Sequence, residues 1–368
     1  MKKLTRCVRK VNAEVIGLDV HQDLIVYSHL DRKGNEIAAG KLATAREVVE
    51  RWLISVVGRK KTHVALEASG GMLWIYDLLV SKYGAERVHV AQSKRIRAIA
   101  NSQEKNDAND AWWLAYLTHE GRLPESYIPV GALRELRLAT RERRAAIELR
   151  TGVIVRLRSH LRQLGVRMPT AKFTSQRGWA FVKQLAEARE DCLGRALQLG
   201  LDRIERLESD ILDWEGRIEE LVVHFPLAAA LQREIPGVGP VLAATITAEA
   251  GPIGRFATAR AFARYTGLTP SDRSSGGKTM HGGITREGSP HLRWALTQAA
   301  VCCCRGKRGA PKAVGDWIRA KQRRMGNKAK ARVAAARKLA ESIWRLFHWG
   351  ECFDAAKPFC GMPVDVVA

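Results

Sequence analysis

Acidic residues are scarce in this chain of 368: 38 Asp and Glu stand against 61 Lys and Arg, a formal net charge of +23. That imbalance points to a polyanionic partner, nucleic acid above all. Long apolar runs are missing too. No stretch reaches the length of a membrane span, and Met-Lys-Lys-Leu-Thr-Arg at the start leads into no apolar core, so neither an anchor nor a signal peptide is expected and the cytoplasm is the expected location. Cysteine forms no framework. Cys7, Cys192, Cys302, Cys303, Cys304, Cys352 and Cys360 are odd in number and lack the spacing of disulfide or zinc modules, and the triple run is expected to pack on a helix. No short-period repeat appears. What is plentiful is apolar residues, at 46% of the chain. That excludes a disordered basic tail, and the length allows two or three domains.

The positive charge is uneven. Residues 301–349 carry 14 Lys and Arg against Asp316 and Glu341, and residues 130–170 carry ten Arg against Glu135, Glu142 and Glu148. The first 125 residues are closer to neutral. Nucleic-acid contact is therefore expected in the middle and the C-terminal third.

Strand and turn signals come first. Glu14–Val20 and Leu24–Leu30 read as a hairpin, Asp31–Asn35 as a turn into a third strand near Glu36–Ala43, then a helix over 45–57, a strand at 63–67, a helix from Met72 to Tyr83 and a short strand Arg87–Ala91. Three early strands followed by strand–helix alternation is the ribonuclease-H/RuvC-like order, a mixed α/β sheet whose first strand is central beside the fourth. Residues 131–165 and 195–225 read as long helices. Leu197, Leu201, Ile204, Leu207, Ile211, Trp214, Ile218 and Leu221 recur at threes and fours, and Ile147, Ile154, Leu157, Leu161 and Leu164 form a similar face. This seam fits antiparallel pairing within a subunit and fits dimerisation. Residues 166–194 read as a less regular connector. From Pro226 a new, mainly α unit begins, and Ile235-Pro-Gly237-Val-Gly239-Pro240 resembles a helix–hairpin–helix or a plain tight turn. The expected domains are 1–125, 126–225, 226–350 and a tail, 351–368.

Four acids carry the first chemical signal. Asp19 lies in the apolar run 15–20, Glu67 ends the run 63–67, and Asp107 and Asp110 stand three apart at the start of a helical stretch. Carboxylates ending buried strands are costly unless a cation offsets them. Hard divalent cations take oxygen ligands, and two Mg2+ about 4 Å apart neutralise a phosphodiester and activate its attacker. The second signal is the Gly-rich loop 270–293, where Arg273, Lys278, Arg286 and Arg293 can neutralise phosphate, Gly276 and Gly277 let the backbone approach it, and Ser274 or Ser275 offers a nucleophile. It is not a P-loop, since Asp272 stands where that motif has Gly. Gly237 and Gly239 are further phosphate-contact candidates.

In order along the chain, Gly17-Leu-Asp-Val-His-Gln-Asp23, Ala65-Leu-Glu-Ala68, Asp107-Ala-Asn-Asp-Ala111, and Tyr265-Thr-Gly-Leu-Thr-Pro270 with Ser274-Ser-Gly-Gly-Lys278, Gly282-Gly-Ile-Thr-Arg-Glu-Gly-Ser289 and Leu292-Arg293 resemble the IS110-family transposases over residues 14–300. The resemblance implies a RuvC-like domain with an Asp-Glu-Asp-Asp centre on Asp19, Glu67, Asp107 and Asp110, a coiled-coil insertion, and a C-terminal domain whose catalytic serine falls on Ser275. It also implies Mg2+, one ion or two, and a phosphoserine link to DNA. Donor and target DNA would be chosen by a bridge RNA, and the site would be completed between subunits of a homo-oligomer, a dimer or a tetrameric synapse. The rival reading is a RuvC-like structure-specific nuclease that hydrolyses DNA with two metals.

Overall fold

The computed structural model describes residues 10–56, 61–92, 95–96, 107–170, 172–275, 278–350 and 352–354, with the backbone alone at 107, 272–275 and 278–281. The chain divides into two compact units, Met1–Ile128 and Pro129–Ala368.

In the first unit, β1 (Val15–Val20), β2 (Leu24–Leu30) and β3 (Glu36–Ala43) are followed by α1 (Arg46–Val56), β4 (His63–Glu67), α2 (Leu73–Tyr83), β5 (Val88–Ala91) and α3 (Asp107–His119). The sheet order is β3-β2-β1-β4-β5. β1 is antiparallel to β2 and parallel to β4. The expected topology is thus present, with β1 central. Every residue of β1 is buried, because both faces of the sheet are covered. Ile16, Leu18, Val64 and Leu66 face α1 and α2, packing on Leu53, Ile75 and Leu79. The alternate residues Val15 and Ala65 face α3, meeting Ala115 and Leu114 respectively.

The second unit is helical: α4 (Gly131–Gln163), α5 (Gln176–Glu187), α6 (Cys192–Val222), α7 (Pro226–Glu234), α8 (Pro240–Ala250), α9 (Ala259–Tyr265), the hairpin β6 (Pro270–Ser275) and β7 (Lys278–Ile284), then α10 (Pro290–Cys303), α11 (Gly309–Met325) and α12 (Lys328–Trp349). The long α4 and α6 pair within the chain. Leu157, Leu161, Leu197, Leu201 and Ile204 share one core, and Gly200 lets Leu157 approach so closely that a Cβ there would stand 2.5 Å from its Cδ2. Arg143–Glu215 and Arg150–Glu208 ion pairs flank the seam. Of the two readings of the apolar repeat, internal pairing accounts for it.

Residues 166–194 differ from expectation. They contain α5, capped by Ser175, whose hydroxyl accepts from the Gly178 N–H. Gly178 resembles a loop signal in sequence, yet here it sits in the first helical turn because a Cβ would meet the Phe173 carbonyl at 2.7 Å. The hub of the unit is α8, buried from Ala243 to Ala250. Its Ala244 and Ala248 pack on Leu136 and Ala139 of α4, and its Ala243 and Ile246 join the core formed with α10 and α12.

Candidate active site

Gly17 sets the geometry of the acidic centre. A Cβ at that position would stand 2.0 Å from the Ala111 carbonyl oxygen and 2.7 Å from the Ala115 nitrogen, so α3 lies directly on the β1 backbone. Asp19, two residues on, shares that face of the strand. The parallel pairing of Gly17 with Ala65 and Leu18 with Leu66 brings Glu67 beside Asp19 at the next step. Asp107 and Asp110 arrive on the first turn of α3, just ahead of Ala111, whose carbonyl touches Gly17. The sequence reading singled out all four acids but passed over Gly17, whose signal is a glycine inside an otherwise apolar strand.

Asp19 is 6% exposed. Burial raises its carboxyl above the ordinary carboxylate range. His21, whose Nε2 is 3.0 Å from Asp19 Oδ2, draws it back, while the charges of Asp110 and Glu67 push it up again. Asp110 and Glu67 are therefore close enough to Asp19 to oppose its ionisation. Among the described residues, no three His, Cys, Asp or Glu side chains are already drawn together at coordinating distance, and the Asp107 side chain lies outside that set. The donors are nonetheless the right ones for a hard divalent cation: carboxylate oxygens whose mutual repulsion a cation relieves.

In the second unit, the expected loop 270–293 is a two-stranded hairpin followed by the start of α10. Ser274 pairs with Thr279 and Ser275 with Lys278, and Ser275 is the last residue of β6. Gly276 and Gly277 follow in sequence and lie outside the described residues. Arg273 pairs with Met280 along the strands. The alternation here is of hydroxyls and cations rather than apolar residues, so no buried face announces the strands. The Gly-Gly pair between two short runs was the available signal.

The base of the hairpin is tightly built. Gly267 (φ 69°) and Gly288 (φ 81°) occupy left-handed backbone, and a Cβ on Gly288 would overlap the Tyr265 carbonyl at 1.9 Å. The Arg286 N–H donates to the Gly267 carbonyl. Arg293 donates to the Thr266 carbonyl at 3.4 Å, and burial, with the nearby Arg286 charge, lowers its pKa. Gly239 is exposed ahead of α8, whereas Gly237 serves packing: its Cβ would stand 2.3 Å from the Ala299 carbonyl. Cys303 is buried on α10, with Sγ 3.3 Å from the Pro236 carbonyl, and burial pushes its thiol up to about 12. The cysteine run thus packs on a helix, as expected.

Several arginines of α4 have partners within the protein, which narrows the expected nucleic-acid surface in the middle of the chain, while Arg156 and Arg162 remain exposed. Arg134 donates to the Pro129 carbonyl, Arg137 to that of Ala248, and Arg144 pairs with Glu148. Arg141 forks onto Glu249 at 2.7 and 3.1 Å. Burial alone would raise the Glu249 carboxyl, but the hydrogen bonds and charge of Arg141, with the charge of Arg137 and a hydrogen bond from Ser289, hold it below the usual range. Ser289 also caps α10 by accepting from the Leu292 N–H. This 1%-exposed acid therefore ties α4 to the hairpin's base. The sequence gives little sign of it, since Glu249 is a lone acid in an alanine-rich helix.

Comparison with known proteins adds independent findings. Residues 229–314 match the model of the transposase IS116/IS110/IS902 family, and residues 16–166 match a DEDD transposase model of the IS110 type. The chain is 30% identical over 266 residues to a probable family 20 transposase of Pseudomonas aeruginosa, covering 68% of this chain and 74% of that protein. It is 25% identical over 346 residues to the transposase for insertion sequence element IS1111A of Coxiella burnetii, covering 94% and 92%. The transposase for IS1328 of Yersinia enterocolitica is 28% identical over 218 residues, covering 58% and 63%. The two family models bracket the acidic centre and the serine hairpin, respectively.

Proposed function

The chain belongs to the IS116/IS110/IS902 family of DNA transposases, and from that premise we propose that it cuts and rejoins DNA through a phosphoserine intermediate on Ser275, with Asp19, Glu67, Asp107 and Asp110 holding Mg2+, one ion or two. The observation that carries this reading is the gathering of Asp19, Glu67 and Asp110 by the β1–β4 register and the α3 contact at Gly17. Mg2+ there supplies charge neutralisation at the phosphate and acidity to a hydroxyl. The four carboxylates hold it, and His21 orients Asp19 through its ring nitrogen.

Ser275 Oγ forms a bond to phosphorus as the bond to one DNA oxygen breaks. The serine proton leaves to solvent, and the departing DNA oxygen takes one up. Attack by a new DNA hydroxyl reverses the step and releases the serine, so the phosphodiester energy is kept for rejoining. Arg273, Lys278, Arg286 and Arg293 neutralise phosphates around the hairpin. Arg293 is desolvated and lies near the Arg286 charge, a setting that a phosphate would relieve. Gly276, Gly277 and Gly239 let backbone approach the strand.

A bridge RNA would read both DNAs by base pairing and leave the protein phosphate contacts. The basic stretch 301–349, with Arg323, Arg324, Lys328 and Lys330 exposed, supplies them together with the exposed Arg156 and Arg162 of α4. A homo-oligomer is supported by a groove of about 840 Å3 on the α4–α6 pair, lined by Leu149, Val153 and Leu199. Leu149 is 63% exposed, surface the internal seam does not use.

The test is a denaturing gel after incubation with DNA carrying the element's ends, Mg2+ and the adjoining RNA. A covalent protein–DNA adduct is expected, lost in Ser275→Ala and kept in Ser274→Ala. Nicked DNA without any adduct would instead support the hydrolytic RuvC-like nuclease, a reading favoured by the fact that all four acids lie in one compact unit.

A further inference from the structure

One cross-strand row of the first sheet runs beyond the acidic centre. Asp19 is paired with Val26, and Val26 with Lys41. All three lie on the α3 face, so Lys41 stands two strand spacings, roughly 10 Å, from Asp19. A cavity of about 400 Å3 opens on that row between β2–β3 and the first turn of α3. Its floor is Val26 and Ala39, its rim Glu36 and Lys41, and its helical wall Asn109 and Trp112. The Trp112 ring is braced by stacking on Tyr116, with centroids 4.8 Å apart and planes 9° from parallel, and its edge meets Trp113. Asn109 falls between Asp107 and Asp110 in sequence, so the cavity shares its helical turn with two acids of the centre.

Each wall has a chemistry that fits one occupant. A braced indole offers a flat apolar surface, and such surfaces bind nucleobases with little regard to sequence. The exposed Asn109 amide both donates and accepts, as the polar edge of a base requires. Lys41 is exposed and cationic at the end of the row that begins with Asp19 and Glu67, where the next phosphate of a strand crossing the centre would pass. Cavities of a few hundred Å3 are the size that takes a small planar ligand. A reacting phosphodiester must also be held at a fixed point along the strand. Stacking its neighbouring base does this without reading the base, which suits an enzyme whose sequence choice lies elsewhere.

From this arrangement we infer that the cavity formed by Val26, Ala39, Lys41, Asn109 and Trp112 holds one unstacked nucleobase of the DNA strand whose phosphate enters the acidic centre. The inference rests on the proposal that Asp19, Glu67, Asp107 and Asp110 hold the reacting phosphodiester. The nucleobase stacks on Trp112, Asn109 meets its edge, and Lys41 takes the adjacent phosphate.

The probe is the full-length protein with single-stranded oligothymidylate containing one 5-iododeoxyuridine, a base that crosslinks on irradiation to an aromatic ring it stacks against. A parallel arm uses oligouridylate RNA with 5-iodouridine. The expected result is a DNA crosslink mapped by mass spectrometry to the peptide carrying Trp112, with a lower yield in Lys41→Ala and Asn109→Ala. Trp112→Leu should lose the crosslink and weaken oligothymidylate binding about tenfold. Should Trp112→Leu fail to fold, the two exposed substitutions carry the test. Crosslinks that avoid Trp112, or that survive unchanged in Lys41→Ala and Asn109→Ala, overturn the inference. A Trp112 crosslink formed by RNA alone also overturns it and assigns the cavity to the guide. The catalytic reading is tested apart, by strand cleavage in Asp19→Asn. An intact Trp112 crosslink in a protein whose cleavage ignores Asp19→Asn would sink the catalytic assignment while leaving the base pocket.

Discussion

Asp19 holds a charge at a position that disfavours it. Its carboxyl is buried and faces Asp110 and Glu67, and the pKa is raised. A raised carboxyl adds stability only below its unfolded value near 4 and costs stability once pH passes the folded value, so the ionised side chain destabilises the metal-free protein at neutral pH. Asp19→Asn is expected to raise the metal-free melting temperature by roughly 2–4 °C and to cut strand cleavage by about a hundredfold or more. Scanning calorimetry in a chelator, beside a cleavage assay, checks both directions. Gly17→Ala should do the reverse, costing about 1–3 kcal/mol as α3 is forced off β1, and lowering cleavage although no acid is changed. Denaturant titration measures the first and the same cleavage assay the second. Both residues were visible in the sequence, but only the acid looked functional. A carboxylate in an apolar strand announces a cost, whereas a glycine announces its reason only when the helix above it is known.

At the scale of elements, β1, β2, β4 and β5 were legible as apolar runs bounded by turn residues and β3 by the Asp31–Asn35 turn before it, and the Gly17–Ala65 pairing confirms the expected neighbour. The hairpin of β6 and β7 was not, since nothing in Ser271–Ser275 or Lys278–Ile284 is patterned for burial. α5 was hidden behind Gly178. The arginine ladder of α4 looked like a polyanion surface because sequence shows the cations and not the carbonyls and the Glu249 they serve. Glu249→Gln should cost about 3 kcal/mol, the low end for a broken buried pair because Arg141 is partly solvated. The pH dependence follows from its lowered pKa. Wild type keeps this stabilisation above the unfolded value near 4.3 and loses it as pH falls through the lower folded value, whereas the Gln variant shows no such loss over that range. Urea midpoints measured for both proteins from neutral pH down to about 3 test this.

At the scale of the whole molecule, the charge of +23 is distributed by use. Part of it in 130–170 is paired within the helices, and 301–349, with 14 Lys and Arg against two acids, holds the excess proposed to meet phosphate. Binding to single-stranded nucleic acid should therefore weaken steeply with salt, with log K falling by roughly 0.7 per phosphate neutralised. Replacing Arg323 and Arg324 with Ala should flatten that slope, and replacing Arg137 with Ala should not. Anisotropy titrations across a salt series separate the two groups. No helix among the described residues is long and apolar enough to cross a membrane, in keeping with a chain whose surface is given to polyanions.

The clamp at Glu249 has a mechanical consequence. α4 is 33 residues long, a rod of roughly 50 Å, and Arg137 and Arg141 fasten it within its first three turns. Its outer half packs on α6, α5 and the connector residues Val166, Met168 and Phe173. The clamp is therefore a fulcrum, and the apolar groove near Leu149 and Val153 lies out along the beam. A tilt of about 10° at Arg141 displaces the far end by about 6 Å. Whatever grips the beam gains leverage on Ser289 through Glu249, so force applied at the tip would be delivered to the start of α10, the helix that follows the serine hairpin in sequence.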